Sequence, residues 1–444
     1  MSTLRKRTRA GFAALAASTL VLTACTQVTP TAPEAAPGGG EIITGPGVTA
    51  EPCPDSPNPE NGCIYLGILS DLTEGPFAAL ARPITDAQQD FWAQVNEAGG
   101  LDGYDIDVVT HQKDTKYQPA EHAAQYQQIA GKIAGIAQTL GTVNTESVLP
   151  DMKSRMLVSV PTTWWSGFGF DENDGGIVME TGYSYCTESI VGLDWFSEKM
   201  MKPKSVQAVG YPGDYGGDSA AGVERWAKVN GVTALEPIAT GPNQTVGNQD
   251  AVVAAVLKAK PDVVVLAIGP AENAEIVGKL AASGFTGQFL GSLPTWNPKL
   301  LDSPAAPALT AMYHHMSPYE NWDGSSPAIT EMKEALGGTP PANTGYLIGW
   351  AINYPMKAVL EAAIASGDLT PQGIAAQVDG LTVDFGGMAP AKTYGGDPQE
   401  HAIQSVNIGK PNADVELGLE TVESSYTGPT FDQTDYSAAC VASS

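Results

Sequence analysis

The sequence predicts an α/β fold of two doubly wound lobes, each built on a parallel sheet. Short runs of apolar residues alternate with segments of helical periodicity, which is the pattern of parallel strands that helices cover on both faces. The alternation occurs twice along the chain, first over residues 64–160 and again after Cys186. About 380 residues follow the N-terminal region, and a single hydrophobic core seldom holds so many, so two lobes are expected.

The first series opens with an apolar run at 64–69, a Gly75-Pro76 turn and a helix that stops at Gly99-Gly100. Its further elements are strands at 106–109, 133–137 and 156–160 and helices at 120–129 and from about Thr145. The second series comprises helices near 190–200, 217–229, 252–257 and 274–282 and strands at 206–209, 232–235 and 263–268. A long helical stretch at 346–365 comes later, and we infer that the chain returns there to the first lobe.

The N-terminal residues 1–24 have the composition of a secretory signal peptide. Four basic residues precede an apolar stretch at 13–22, which is too short to span a membrane as a mature helix. The sequence Leu22-Thr23-Ala24-Cys25 resembles the bacterial lipobox, in which Cys25 would be diacylated and become the first mature residue. The alternative is an ordinary signal peptide that happens to carry a cysteine. We therefore expect an extracytoplasmic protein that a lipid anchors to the outer face of the cell membrane.

The remaining chain divides by composition and by the order of its elements. Residues 25–62 are rich in Pro, Thr, Ala, Gly and Glu, and they predict a disordered tether. We expect the first lobe to comprise 63–185 and a returning segment at 317–384. The second lobe then comprises 186–316 and a C-terminal segment and tail at 385–444.

The charge of the chain excludes one class of partner. The chain has 23 basic and 49 acidic residues and a formal net charge of −26. Such a surface repels nucleic acid and anionic lipid, so we expect no nucleic-acid partner and membrane contact through the lipid anchor only. An acidic surface keeps a secreted protein in solution, and we expect a monomer.

The cysteine count suggests disulfide bonds. Once Cys25 is lipidated four cysteines remain, and an even number outside the cytoplasm is typical of disulfides. Three connectivities are possible. The spacing favours a small loop closed by Cys53 and Cys63, which leaves Cys186 to pair with Cys440 and to attach the tail to the start of the second lobe.

Motifs of catalysis and of metal binding are missing from the sequence. It contains no G-x-S-x-G, H-E-x-x-H or G-x-x-x-x-G-K-[ST] motif. His314 and His315 are adjacent, so on a strand they point to opposite faces and do not predict a shared metal site. Asp102, Asp105 and Asp107 lack the glycine and the closing glutamate of a calcium loop. We expect no enzyme, no metal and no cofactor.

Four segments carry a family resemblance. They are 64–69 with Gly75-Pro76-Phe77-Ala78 and the helix ending 95–103, then Gly141-Thr142, then Val158-Ser159-Val160-Pro161-Thr162-Thr163, and Asp214-Tyr215-Gly216. In this order they resemble the leucine/isoleucine/valine-binding family, the branched-chain amino acid binders among type I periplasmic binding proteins. The resemblance spans nearly the whole chain after residue 63. It implies two lobes that are joined by a three-strand hinge and close on a small molecule.

The resemblance also implies a function. Such proteins deliver a small-molecule solute to the permease subunits of an ABC importer. An alternative is a pair of receptor lobes that senses a ligand and signals to a membrane partner. A more remote alternative is an extracellular hydrolase with the same fold.

Candidate ligand-binding residues follow the ends of predicted strands. In open parallel sheets, ligands bind beyond the carboxyl ends of the strands, where helix N-termini present unpaired amides. Gly141 and Thr142 occupy such a position and could hold a carboxylate, or they could cap a helix without any ligand. Thr162, Thr163 and Trp164 follow the next strand, in a loop that offers oxygens to the ligand in the family.

Further candidates come from side chains that would face the cleft. Trp164 and the adjacent Trp165 indicate an apolar or ring-bearing ligand, or else core packing. Tyr215 matches a cleft-facing tyrosine of the family. Leu80 and Trp296 are additional candidates, from the helix after the first strand and from the 292–297 loop.

One departure from the family bears on the ligand. Its amino-acid binders pair the ligand ammonium with a carboxylate of the second lobe, and the matching loop 291–296 contains no acid. A buried ammonium without a counter-charge costs several kcal/mol. The sequence is therefore compatible with an amide or an apolar carboxylate at least as well as with a branched-chain amino acid.

Overall fold

The computed structural model describes residues 42–442. The predicted signal peptide, the lipidation of Cys25 and the first part of the predicted tether lie outside these residues. Within them, no helix combines the length and the apolar character that crossing a membrane requires.

A five-stranded sheet and its helices are formed mainly by the first third of the chain. The short strand β1 Ile43–Thr44 precedes this sheet and does not belong to it. The five strands of the sheet are β2 Val48–Thr49, β3 Gly62–Ser70, β4 Tyr104–Asp114, β5 Gly135–Leu140 and β6 Ser159–Thr162. The helices are α1 Ala78–Glu97, α2 Pro119–Ile129, α3 Thr142–Arg155 and the short α4 Asp171–Asp174. Strands β4, β3, β5 and β6 are parallel neighbours in this order, and β2 pairs antiparallel with the start of β3.

The next segment supplies most of an eight-stranded sheet. Its helices are α5 Tyr185–Lys199, α6 Asp214–Asn230, α7 Asn243–Val246, α8 Asp250–Ala259, α9 Pro270–Ala282 and α10 Ala306–Met312. Its strands are β7 Ser205–Gly210, β8 Thr233–Ala234, β9 Ile238–Ala239, β10 Val263–Ala267, β11 Gln288–Gly291 and β12 Tyr313–Ser317. These strands are parallel, and β7, β10, β11 and β12 are neighbours in this order. Their residues are almost all buried, as expected of strands covered on both faces.

The last third of the chain adds helices to the five-stranded half and two strands to the eight-stranded sheet. Its helices are α11 Pro327–Ala335, α12 Gly345–Ala351, α13 Asn353–Ser366, α14 Pro371–Ala375 and α15 Pro398–His401, and its strands are β13 Asp368–Leu369, β14 Thr382–Val383, β15 Lys392–Thr393, β16 Ser405–Pro411 and β17 Leu419–Thr427. Helix α12 packs against α1, and α13 contacts β5 and β6. Strands β16 and β17 extend the eight-stranded sheet beyond β12 and are antiparallel, so this sheet is mixed rather than purely parallel.

Three connections therefore run between the two sheets. They are 163–184 between β6 and α5, 318–344 between β12 and α12, and 367–404 between α13 and β16. The structure also contains two disulfides, Cys53–Cys63 and Cys186–Cys440, with Cα atoms 4.7 Å and 6.4 Å apart.

The predicted tether, 25–62, requires a correction from residue 42 onward. Strand β1 pairs with β13, and β2 pairs with β3. The N–H of Tyr65 donates to the carbonyl of Gly47 at 2.7 Å. Composition indicated disorder because this segment has few large apolar side chains, but backbone pairing and the Cys53–Cys63 disulfide hold it in the fold.

Candidate ligand-binding site

A pocket lies between the carboxyl end of the five-stranded sheet and residues of α5, α6 and the turn after β11, which surround the eight-stranded sheet. It contains about 420 Å³ of empty space, its open mouth included. Seven of the eight predicted ligand residues line it, namely Leu80, Gly141, Thr142, Thr162, Thr163, Trp164 and Tyr215. The rule that placed candidates after strand ends thus brings them to one pocket.

The structure does not bring Trp296 to this pocket. Its side chain is fully buried, its ring stacks on Tyr313, and its indole N–H donates to the carbonyl of Leu417 at 3.1 Å. The loop turns as a short 3₁₀ helix over Leu293–Thr295, so Pro294 lines the pocket instead. Trp296 is therefore a packing residue.

Sequence reasoning missed half of the pocket lining. The missed residues are Phe77, Ile84, Tyr117, Leu140, Tyr185, Pro294 and Ile348. Phe77 directly follows the Gly-Pro turn, and Tyr185 directly follows the cap of α5, so both carried a weak positional signal. No positional signal pointed to Ile348, because it reaches the pocket from α12, more than 180 residues after β6 in the sequence.

The N-terminus of α3 forms one end of the pocket. Gly141 precedes the helix with φ +93°, and no side chain of the described residues caps it. A Cβ at Gly141 would lie 2.6 Å from Cε2 of Tyr117, so only glycine fits here. The first bond across this helix start is from the Thr145 N–H to the Gly141 carbonyl, which leaves the earlier peptide N–H groups without a helical acceptor. A helix start of this kind favours an anion.

Three threonine hydroxyls lie beside this helix start. Thr142 Oγ1 is hydrogen-bonded to Thr163 Oγ1, which is 3.4 Å from the hydroxyl of Tyr185. Thr162 differs, since the residue is 8% exposed and its buried Oγ1 forms no hydrogen bond with any described residue. A buried hydroxyl without a partner is costly, so this hydroxyl is available for a ligand.

Aromatic residues form a further wall of the pocket, and their polar groups are already paired. The rings of Tyr185 and Tyr215 are 4.5 Å apart, and Phe77 lies 6.4 Å from Tyr215. The hydroxyl of Tyr215 donates to the Ile268 carbonyl at 3.1 Å and is 2.7 Å from Ser292 Oγ. The indole N–H of Trp164 likewise donates to the carbonyl of Thr181. These residues therefore offer the ligand ring surfaces rather than polar atoms.

No charged side chain of the described residues lines the pocket. The acid Glu188 is fully buried beside Tyr185 and Tyr215, behind the lining. Its Oε1 accepts from the Leu293 N–H at 2.9 Å and from the Tyr183 hydroxyl at 3.0 Å. Burial raises the pKa of Glu188 to about 8, so this carboxyl is mostly neutral at pH 7. The pocket thus presents an anion-favouring helix start, a free hydroxyl and apolar rings, but no counter-charge for a cation.

The sequence of the chain, beyond its fold and pocket, matches a known protein family. The family model described as periplasmic binding protein matches residues 64–415, and the chain belongs to this family. The predicted fold class is confirmed as the type I fold of these proteins, and the predicted resemblance to branched-chain amino acid binders is confirmed at the level of the family. Among proteins with curated descriptions, none matches.

Several solved structures of other proteins are similar to this chain. The fatty acid ABC transporter substrate-binding protein from Thermomonospora curvata is 26% identical with a TM-score of 0.78, over 88% of this chain and 97% of that one. A branched chain amino acid ABC transporter from Thermus thermophilus with bound valine is 16% identical with a TM-score of 0.69, over 84% and 98%. A solute binding protein from R. palustris in complex with 4-hydroxybenzoate is 15% identical with a TM-score of 0.65, over 83% and 98%. The last two share the fold alone.

Proposed function

We propose that this protein binds an apolar carboxylate, of the fatty-acid or aromatic-acid kind, outside the cytoplasm and delivers it to the permease subunits of an ABC importer. The observation that carries the proposal is the uncharged pocket, in which the free hydroxyl of Thr162 lies beside the uncapped start of α3. A carboxylate bound there would accept hydrogen bonds from Thr162 and from the peptide N–H groups of α3. Its hydrocarbon part would lie against the aromatic wall.

The proposal prefers a carboxylate to an amino acid for an electrostatic reason. An α-ammonium group would enter a pocket whose lining has no acid, and the desolvation would cost several kcal/mol. The relative from Thermomonospora curvata, at 26% identity, is named for fatty acids, which supports the same preference. The relative with bound valine shares only the fold, so its ligand carries less weight.

The arrangement of the pocket fits capture between two halves. Thr142 and Thr162 belong to the five-stranded sheet and its helices, whereas Tyr215 and Pro294 belong to the other half. A ligand between them would stabilise the closed arrangement by its contacts with both sides. We infer that the protein works as a monomer that a lipid on Cys25 holds near the permease.

Three ligands with the same carbon skeleton test the proposal. Leucine, its deaminated analogue isocaproate and the neutral isocaproamide differ only in the groups that the pocket should discriminate. We expect calorimetric titration of ligand-stripped protein to give the highest affinity for isocaproate, with leucine weaker by roughly a hundredfold or more. Longer fatty acids and 4-hydroxybenzoate would then define the preferred hydrocarbon part.

Two outcomes would overturn the proposal. Leucine binding as tightly as isocaproate would mean that the ammonium finds a partner, and the ligand class would be wrong. Uptake of the labelled acid that is equal in cells with and without the protein would reject the importer role and favour the sensor.

A further inference from the structure

A second cavity lies away from the ligand pocket and shares none of its lining residues. It contains about 720 Å³ of empty space, its mouth included. Its walls come mainly from residues 166–184 of the first connection between the sheets and residues 378–403 of the third. An occupant would therefore contact two of the three segments that join the halves of the protein.

Two buried acids line this cavity. Asp174 is 1% exposed and Glu180 is 5% exposed. Oε1 of Glu180 forms no hydrogen bond with any described residue, and Oδ1 of Asp174 accepts from the N–H of Gly176 at 2.8 Å. The two carboxyls repel one another, and burial raises the pKa of Asp174 to about 8 and that of Glu180 to about 7. Burial therefore outweighs the bond that Asp174 accepts from Gly176 and the contact of Glu180 with Lys392, and Oε1 of Glu180 is left without a hydrogen-bond donor among the described residues.

One cationic side chain on the cavity wall forms an ion pair with one oxygen of Glu180. Lys392 is the one lysine or arginine of the described residues that lines it, and its Nζ lies 3.4 Å from Oε2 of Glu180 and 3.5 Å from the carbonyl of Gly182. Both contacts are long for hydrogen bonds. The exposed acids Asp171 and Asp379 add further negative charge to the lining.

The rest of the deep lining is apolar or aromatic. Phe168, Val178, Val378 and Ile403 are all at least nine-tenths buried around the cavity. The ring of Tyr394 faces Lys392 at 5.4 Å, and its hydroxyl donates to the backbone carbonyl of Glu180 at 2.9 Å. These surfaces suit a short hydrocarbon group, while the acids suit a positive charge.

We propose that this cavity is a second binding site, for a small organic ammonium compound, whose cationic group lies between Asp174 and Glu180. The free oxygen of Glu180 accepts a hydrogen bond from the ammonium, and the hydrocarbon part packs on the apolar wall. The site has the opposite charge preference to the ligand pocket, so the two sites discriminate between different solutes.

The test uses probes of equal size and different charge. Thermal unfolding and calorimetric titration of the full chain are followed with butylammonium, butanol and butyrate. We expect butylammonium alone to raise the melting temperature. A bound ammonium favours the ionised forms of both acids, so the variants Glu180→Gln and Asp174→Asn should each weaken its binding roughly tenfold or more, because each removes one carboxylate that the cation would stabilise. Circular dichroism of the unliganded variants checks that they fold.

Two controls separate this site from its alternatives. Glu224→Gln changes an exposed acid of α6 outside the cavity and should leave butylammonium binding unchanged. Thr162→Val alters the ligand pocket and should also leave it unchanged. Absence of any effect of butylammonium on the wild type, or unaltered binding in both folded acid variants, would refute the site. Loss of butylammonium binding in Thr162→Val would assign the amine to the ligand pocket instead.

Discussion

Thr162 is the residue of the pocket lining whose buried hydroxyl has no hydrogen-bond partner among the described residues. The residue lies beside the start of α3, where we propose that a carboxylate binds. The change Thr162→Val keeps the shape and removes the hydroxyl. We expect the affinity for isocaproate to fall roughly tenfold, because a hydrogen bond to a charged group is lost. Calorimetric titration measures this change.

The same strand provides a matched control for this change. Ser159 lies in β6, is fully buried, and its Oγ also lacks a partner among the described residues, but it does not line the pocket. Ser159→Ala should leave the affinity unchanged. Neither variant should lower the free energy of unfolding by more than about 1 kcal/mol, since neither breaks a hydrogen bond. Equal affinity losses in both variants would mean that the strand, rather than the hydroxyl, is responsible.

The start of helix α3 depends on the backbone conformation of Gly141. The residue has φ +93° at the start of α3, and a side chain would collide with the ring of Tyr117. We expect Gly141→Ala to reduce the free energy of unfolding by ~2–4 kcal/mol, from strain and collision together. Binding of isocaproate should also be lost, because the collision displaces the peptide N–H groups. Urea unfolding and calorimetric titration test the two effects.

Gly367 allows the strain to be measured without the collision. It ends α13 with φ +80°, and a Cβ there would have no atom within 4 Å. Gly367→Ala should therefore cost only ~1–2 kcal/mol and leave binding intact. If Gly141→Ala costs no more than Gly367→Ala and still binds isocaproate, the close contact with Tyr117 has no functional role.

Some strands and helices could be predicted from the sequence, and others could not. The order of strands and helices was predictable because buried parallel strands are continuous apolar runs, as in β10. The starts of β5 and β6 were placed two or three residues early, because apolar residues extend beyond the hydrogen-bonded ladder. Five strands of the eight-stranded sheet were not predicted, namely β9, β11, β12, β16 and β17. Of these, β17 is partly exposed and lacks such a run. Composition likewise misjudged residues 42–62, where backbone pairing stabilises the chain.

Half of the residues that line the pocket could be predicted from the sequence. Positions after strand ends follow from topology, and Gly141 and Thr162 were found in this way. Residues that reach the pocket across the fold, such as Ile348 on α12 and Pro294 after β11, depend on packing between distant segments. Trp296 was predicted to line the pocket but packs elsewhere, after the turn at Leu293–Thr295.

Buried ionisable groups couple the stability of the whole molecule to pH. Burial raises the pKa of four acids to about 7 or 8, namely Asp71, Asp174, Glu180 and Glu188. Burial lowers the pKa of three histidines to about 4, namely His122, His314 and His315. In the unfolded chain, the acids titrate near 4 and the histidines near 6.5. The raised pKa values of the acids therefore destabilise the folded protein as the pH rises. The lowered pKa values of the histidines destabilise it as the pH falls.

The sign of the pH dependence follows from which state binds more protons. Between pH 6.5 and 8 the four acids retain protons only when folded. The buried histidines are neutral in the folded state and lose their remaining protons in the unfolded state over the lower half of this range, which is a smaller effect of opposite sign. Raising the pH through this range therefore destabilises the folded protein, and we expect urea unfolding to report a decrease of ~1–3 kcal/mol. Glu188→Gln should reduce this decrease, and Glu224→Gln, at an exposed position, should not alter it. A stability that is constant or that rises from pH 6.5 to 8 would mean that these acids are already ionised in the folded protein, and the electrostatic account of its interior would be wrong.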